Sequence, residues 1–434
     1  MYRIGGLLIL SVGVLSGCTT SEVLVAHAID LVEAPATLPE EQLLDVGIVV
    51  FDPGVPDGDI DRETLEQLRD DGTFVHIRRA ESVYLAVRLR DTLQRSGHWG
   101  SVWVTPESSM AADLRVSARI VHSDGDLVRV DVTAADATGR TWVDKPYELE
   151  APAGAYNRQR YPNLDPYQDL FDSVANDLAA VRARMPAPEA RRIRTVGALR
   201  YAGDLNPAAF EGYLAASRGG IYEPVRLPAA DDPMLRRTQL VRQRERLLFE
   251  TLNGHYDHFA AEVTRSYGSW REAAREESVA IRELTRSMRW RKALGIAATV
   301  ASIASMMHGG DYNSLSSRMA RDGLMLMGTG MLEMSAVHSQ GRRLHAEALE
   351  ELSESFDDEA EPLVVEVAGI QHRLAGTAEV QYAEWRALLR QLFIEETGSA
   401  PGDIEIYPEA AGRVYPDAGR VYPDAGLPPY RPGR

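Results

Sequence analysis

The sequence predicts an α+β protein: a small sandwich of a mixed sheet with helices on one face, then a long helical hairpin or elongated bundle, then a Pro-rich tail. Three observations carry this. A buried-type strand and an amphipathic helix precede two alternating apolar/polar runs joined by tight turns, which is the pattern of a meander. From 234 to about 307, 311 to 361 and 363 to 400 there is no proline, and charges alternate with apolar residues at helical spacing. The last 37 residues, 398–434, carry short Tyr-Pro repeats in place of any core-forming pattern.

In order, 42–188 is expected to form the sandwich. Val46-Gly47-Ile48-Val49-Val50 is a continuous apolar run stopped by Asp52-Pro53-Gly54, a strand covered on both faces. A polar loop with a short helix at 62–68 follows. Leu85, Leu89 and Leu93 stripe a helix from Ile77 to Ser96, with Gly97 placed to cap it. Strands are expected at 101–104, 114–121, 128–134 and 140–144. Turns at Ser123-Asp124-Gly125-Asp126 and Asp136-Ala137-Thr138-Gly139 separate the last three. A helix from Asp165 to Met185 closes the domain, and Pro186-Ala187-Pro188 ends it.

Residues 189–232 are expected to be an irregular linker holding one short helix from Pro207 to Ala216, with Asn206 as its N-cap. The region 233–397 is expected to run out as one helix to about 307, bending or breaking at Gly254 or Gly268. It would turn at His308-Gly309-Gly310-Asp311-Tyr312-Asn313 and return. A helix restart is expected at Asp357 to Pro362, continuing to about Glu396. In 398–434, Gly412-Arg413-Val414-Tyr415-Pro416-Asp417-Ala418 recurs as Gly419-Arg420-Val421-Tyr422-Pro423-Asp424-Ala425, an extended, disordered spacer or a ligand for a partner's groove.

The N-terminus fixes an expected location. Met1 to Arg3 start positively, Ile4 to Val14 are apolar, and Leu15-Ser16-Gly17-Cys18 follows, with Cys18 the one cysteine of the chain. An apolar run of eleven residues has signal-peptide length and is too short to span a bilayer. The Leu-Ser-Gly-Cys stretch resembles the lipobox of bacterial lipoproteins. That resemblance implies a signal peptide over 1–17, cleavage before Cys18, acylation of its thiol (a palmitate-type modification) and a tether over 18–41. Thr19 and Thr20 in place of an aspartate imply the inner leaflet of the outer membrane, with the protein facing the periplasm.

The element order of 42–185, after a lipobox and tether, is similar to a group of envelope proteins. These are the N-terminal domain of the Tol-system β-propeller protein, the lipoprotein activators of penicillin-binding proteins and the soluble part of the curli secretion lipoprotein. The resemblance implies binding or regulation of another envelope protein, with no catalysis.

Composition agrees with such a role. The net charge of −17, or −18 once Arg3 is removed with the signal peptide, leaves no cationic footprint for nucleic acid. There is no phosphate-binding Gly-rich loop, nucleophile elbow or paired-carboxylate spacing, so no enzyme, cofactor or metal is expected. His255-Tyr256-Asp257-His258 with Glu262 offers metal-ligand types, but its i, i+3 histidines lack hydrolytic zinc spacing and read as a solvated helix face. Asp52 reads as the residue that ends a strand.

The hairpin tip is the expected interaction surface. Ala293 to Met307 is fifteen residues without a charge, and seven of the twelve methionines fall between 306 and 334. Ala297, Ala301, Met306, Met307, Gly323, Met325, Met327, Gly328 and Met331 would line it. Small residues permit close helix approach and methionine adapts to irregular surfaces. Three readings stay open: a packed bundle core, a docking surface for an envelope partner or a second copy, and a membrane-inserting tip. The alternative to a scaffold is an oligomeric channel or secretion-system component.

Overall fold

The computed structural model describes residues 26–306, 363–374 and 378–398, apart from 37, 57, 59, 71, 230, 368 and 369; for 277, 280–306 and 363–379 it describes the backbone course only. The chain is α+β, built on a mixed five-stranded sheet with helices and one very long helix.

The strands are β1 (Val46–Val49), β2 (Val102–Thr105), β3 (Leu114–Ser123), β4 (Leu127–Asp136) and β5 (Thr141–Glu150), in spatial order β2-β1-β3-β4-β5. The β1 strand pairs in parallel with both β2 and β3, and β3-β4-β5 form the antiparallel meander. Parallel neighbours need a crossover, and α2 (Val75–Ser96), preceded by α1 (Arg62–Asp70), supplies it between β1 and β2. In β3 and β4, Val116, Ile120, Val130 and Val132 face the core. Arg115, Arg119, Arg129 and Asp131 stand on the open face. Each strand of the meander runs ten residues, so β5 is twice as long as the five expected.

The α2 helix differs from its amphipathic reading. Leu85, Leu89 and Leu93 are buried, but so are Arg78 at 4%, Glu81 at 0% and Arg90 at 6% exposure. Its polar stripe is covered because another helix lies along it. Gly97, the residue immediately after α2, caps the helix in the left-handed region, and the chain then leads into β2. After β5, α3 (Gln168–Ala183) packs on α2 and β5.

Three sequence expectations need correction. The first concerns 189–232, expected to be an irregular linker. Its first part is α4 (Ala187–Leu205), a regular helix with proline in its first turn. Ala190, Ile193, Val196, Tyr201 and Leu205 are buried along it. The helix expected from Pro207 to Ala216 is one turn, α5 (Pro207–Phe210). The Asn206 side chain caps it by accepting from Ala209 N–H at 3.1 Å. A two-stranded ribbon follows, β6 (Leu214–Ala216) with β7 (Tyr222–Pro224).

The second concerns the long helix. The α6 helix (Pro233–Met306) runs 74 residues, about 110 Å, without a break at Gly254 or Gly268. Glycine costs about 1 kcal/mol in a helix interior. Around Gly254 and Gly268 that cost is outweighed by fully buried Phe249, Leu252, Val263, Tyr267 and Trp270, each contributing roughly 1.5–3 kcal/mol. From Thr238 to Ser278 this helix lies against α2, β2 and α4. Its apolar side chains belong to the same core as the sheet, so no separate helical domain begins at 233.

The third concerns the restart at Pro362. In place of a helix there, β8 (Leu363–Val367) and β9 (Ile370–Leu374) form a hairpin, and α7 (Ala378–Thr397) follows. Leu363-Val364-Val365-Glu366-Val367 is β-branched, which favours strand over helix. The α7 helix packs on the base of α6, where Tyr382 stacks on Phe249 at 5.8 Å between centroids. The turn at 308–313, the returning arm to 362 and the tail from 399 lie outside the described residues.

Candidate functional site

Most residues singled out in the sequence lie outside the described part. These are Cys18, Met307, Gly323, Met325, Met327, Gly328, Met331, Tyr415 and Tyr422. Ala297, Ala301 and Met306 fall on the last four turns of α6, where the backbone is helical. The expected tip surface therefore lies largely outside the described residues.

The His255 group does not close on a single ligand set. His258 Nε2 lies 3.2 Å from Glu262 Oε1 on an exposed face, while Asp257 turns away to pair with Arg90. Asp52 closes its own turn, accepting from Gly54 N–H at 2.7 Å, with Arg119 Nε 3.5 Å away.

What the fold does build is a set of buried polar joints along α6. At its base, Arg242 donates to Ala111 O and, at 3.0 Å, to Asp113 Oδ1, while Arg246 pairs with Asp45. Two turns beyond Arg246, Asn253 completes the edge of the sheet. Its side-chain amide donates to Val104 O at 2.9 Å and accepts from Val104 N–H at 2.8 Å, as a neighbouring strand would. The β2 edge is thereby closed to other chains. Beside them, Glu245 is fully buried and joins three helices. It accepts from Tyr201 Oη of α4 and Tyr382 Oη of α7, both at 2.5 Å, and from Arg386 Nη1 at 2.9 Å. Arg386 also reaches Asp204.

The largest joint centres on Arg271. Its guanidinium lies 4.3, 4.9 and 5.5 Å from the ring centroids of Tyr267, Tyr167 and Tyr84, and bonds both oxygens of Asp165. Burial pushes the Asp165 carboxyl up, but the Arg271 guanidinium pulls it down further, and it settles at about 2. Tyr84 donates to Asp165 at 2.5 Å. Burial and then the Asp165 charge hold its phenol well above the usual range. Beside them Glu81 accepts from Tyr267 Oη at 2.7 Å and from Ser123 Oγ at 2.6 Å. At Gly125 (φ 83°), in the β3–β4 turn, a Cβ would lie 2.3 Å from the Arg271 carbonyl, so a side chain there would push α6 off the sandwich.

A half-open cleft of about 300 Å³ adjoins this joint, between α2, the 155–166 loop and α6. Arg88, Arg158 and Arg271 line it with a single carboxylate, Asp165. None of these residues was singled out in the sequence. Across these joints the partners are 42–201 positions apart, and an arginine on a helix reads as a solvated face until its neighbour is known.

Residues 28–34, within the tether expected over 18–41, are hydrogen-bonded to the sandwich. Ala28 N–H donates to both Asp169 oxygens at 3.0 and 3.2 Å, Val32 N–H to Asn176 Oδ1 at 2.8 Å, and Ala34 N–H to Ser96 O at 2.8 Å. The segment is thus seated along α3 and the end of α2, with no helix in 26–31. His27 pairs with Asp169 and has its Nε2 3.5 Å from Asp172. Among the described residues these three form the one cluster of metal-ligand types. Their hydrogen bonds to the chain around them make it a clasp for the segment. Burial raises the Asp172 carboxyl, against the Gln168 hydrogen bond that lowers it. No protein family, curated protein or solved structure matches this chain.

Proposed function

We propose that the chain is a non-catalytic lipoprotein of the bacterial outer membrane that faces the periplasm and scaffolds an envelope protein partner. The carrying observation is Leu15-Ser16-Gly17-Cys18 behind a signal-length apolar run, with the single cysteine at the acylation position. An acyl chain buries its methylenes at about 0.8 kcal/mol each, so several chains on Cys18 give lasting attachment.

The seated N-terminal segment supports a close-held body. Eight residues separate Cys18 from Ala26, a reach of at most about 29 Å. The sandwich would then ride within that distance of the bilayer, carrying a stiff helix as its arm. The outgoing arm is α6, and the finer reading is that the chain returns along it as a hairpin. Its tip would present Ala297, Ala301, Met306, Met307, Gly323, Met325, Met327, Gly328 and Met331 to the partner, and the tail repeats with Tyr415 and Tyr422 would act as a spacer. The buried joints fix α6 against the sandwich, which suits the scaffolding role that the envelope-protein resemblance implies.

One geometric relation favours a second reading, an oligomeric secretion or channel component with membrane-proximal tips. Followed backward from Ala34 to His27, the N-terminal segment runs from the Ser96 end of α2 toward the head of α3. The head of α3 adjoins Asp165, where α6 passes on its way out. The arm and the described start of the N-terminal segment therefore lie toward one end of the sandwich. The 28 residues of α6 beyond Ser278 span about 42 Å, enough to bring the uncharged stretch from Ala293 to the membrane of the anchor.

In-cell photo-crosslinking from Val121, on the open sheet face, and from Met325 tests the first reading. A single envelope protein should be recovered from one of these positions, and lost in Cys18→Ser. Recovery of no envelope protein from either position counts against it. Blue-native electrophoresis showing only monomers would remove the second.

A further inference from the structure

We infer that the cleft between α2, the 155–166 loop and α6 binds a single oxyanion group, a phosphate or a carboxylate carried by a small molecule. The inference rests on the cleft alone and not on the membrane role. Its lining holds three guanidinium groups, from Arg88, Arg158 and Arg271, against one carboxylate, Asp165. The local balance is two positive charges on a chain whose net charge is −17. A surface that is acidic elsewhere and cationic in one concave place concentrates anions there.

The three arginines are differently committed. Arg271 is spent on Asp165 through Nη1 and Nη2, and its buried Nε has no acceptor. Arg88 is 29% exposed, and its nearest carboxylate oxygens, on Asp165 and Asp91, are 3.9 and 4.0 Å away, beyond hydrogen-bond range. Arg158 makes no side-chain hydrogen bond or ion pair among the described residues, and its guanidinium lies close against the α6 backbone at Gly268. A Cβ on Gly268 would lie 2.1 Å from its Nη2, so the bare helix backbone is the seat on which the guanidinium rests. Two forked donors with free N–H groups across a cavity of about 300 Å³ match one oxyanion, which each could take in the bidentate manner. Tyr84 also lines the cleft, with its hydroxyl proton already donated to Asp165.

Calorimetric titration of inorganic phosphate, and separately of succinate, into the detergent-solubilised full-length chain at low ionic strength tests this. At least one of the two should bind saturably at one site per chain, and which one does separates the tetrahedral from the carboxylate ligand. Arg158→Gln should weaken that binding at least about tenfold, through loss of a charge-assisted bidentate contact. Gly268→Ala, which displaces the guanidinium without removing a charge, should weaken binding by a smaller factor. Arg158→Lys should fall between, and Arg129→Gln on the open sheet face should bind as the parent does. Each variant is first checked for an unchanged circular dichroism spectrum, and Arg158, exposed on a loop, carries the test if Gly268→Ala fails it. Absence of saturable binding by both anions, or affinity untouched in Arg158→Gln, would overturn the inference.

Discussion

Arg271 on the long helix and Asp165 just ahead of α3 are joined by two hydrogen bonds of 2.9 and 3.2 Å, with both side chains at least 95% buried. This pair locks the arm to the sandwich. Removing one member of a buried pair strands the other charge, at a cost of about 3–5 kcal/mol. Arg271→Met should lower the unfolding free energy measured in urea by that much or prevent folding. Asp165→Asn added to it should recover most of the loss, because no unpaired charge then remains. Additive losses in the double variant would mean the pair does not act as one unit.

The same joint gives the fold an acid limit. Asp165 drops from the ordinary 3.8 to about 2 in the folded chain. A depressed carboxyl adds stability that is complete above pH 3.8 and is lost as pH falls through 2. Its share is roughly 2 kcal/mol. Thermal midpoints measured from pH 5 down to pH 2 should therefore fall, and fall less steeply in Asp165→Asn from its lower starting point. A variant whose slope equals the parent's would remove Asp165 as the source.

Asn253 substitutes for a strand on the β2 edge through two hydrogen bonds to Val104. Asn253→Ala leaves a buried N–H and a buried C=O without partners, worth about 1–3 kcal/mol each. We expect lower stability by about 2 kcal/mol or more, together with concentration-dependent aggregation, since an unpaired edge recruits other chains. Light scattering at two protein concentrations checks the second effect.

Glu245 ties α7 to α4 and α6. In Glu245→Gln the charge that Arg386 and the two tyrosines share is gone. Amide exchange across 378–398 should then accelerate about tenfold, while exchange in β3 and β4 stays as it was. Uniform acceleration through the sheet would show that α7 is not an independently opening element.

The sheet, α2, α3 and α6 were legible because each declares its own period. Alternation at Val128 to Ala134 and the Leu85-Leu89-Leu93 stripe need no knowledge of the rest of the chain. The α4 helix was hidden by the prolines at 186 and 188, which mark a helix start as readily as a helix end, and by Gly197 and Gly203 inside it. The β8–β9 hairpin was hidden by an acidic, Pro-containing approach that suits a helix N-terminus equally well. The buried joints were illegible for a different reason. Arg242, Glu245 and Arg271 look like a helix's wet face, and only the fold places Asp113, Tyr382 and Asp165 beside them. The seating of 28–34 was hidden because its donors are backbone N–H groups, which no sequence pattern displays.

Every positional statement about function depends on the chemistry of Cys18. Mass spectrometry of the N-terminal peptide of the mature protein, taken from its native membranes, tests that directly. The account predicts a chain that begins at Cys18 and carries acyl groups on it. A chain that retains Met1 to Gly17, or one with an unmodified Cys18 thiol, would contradict it.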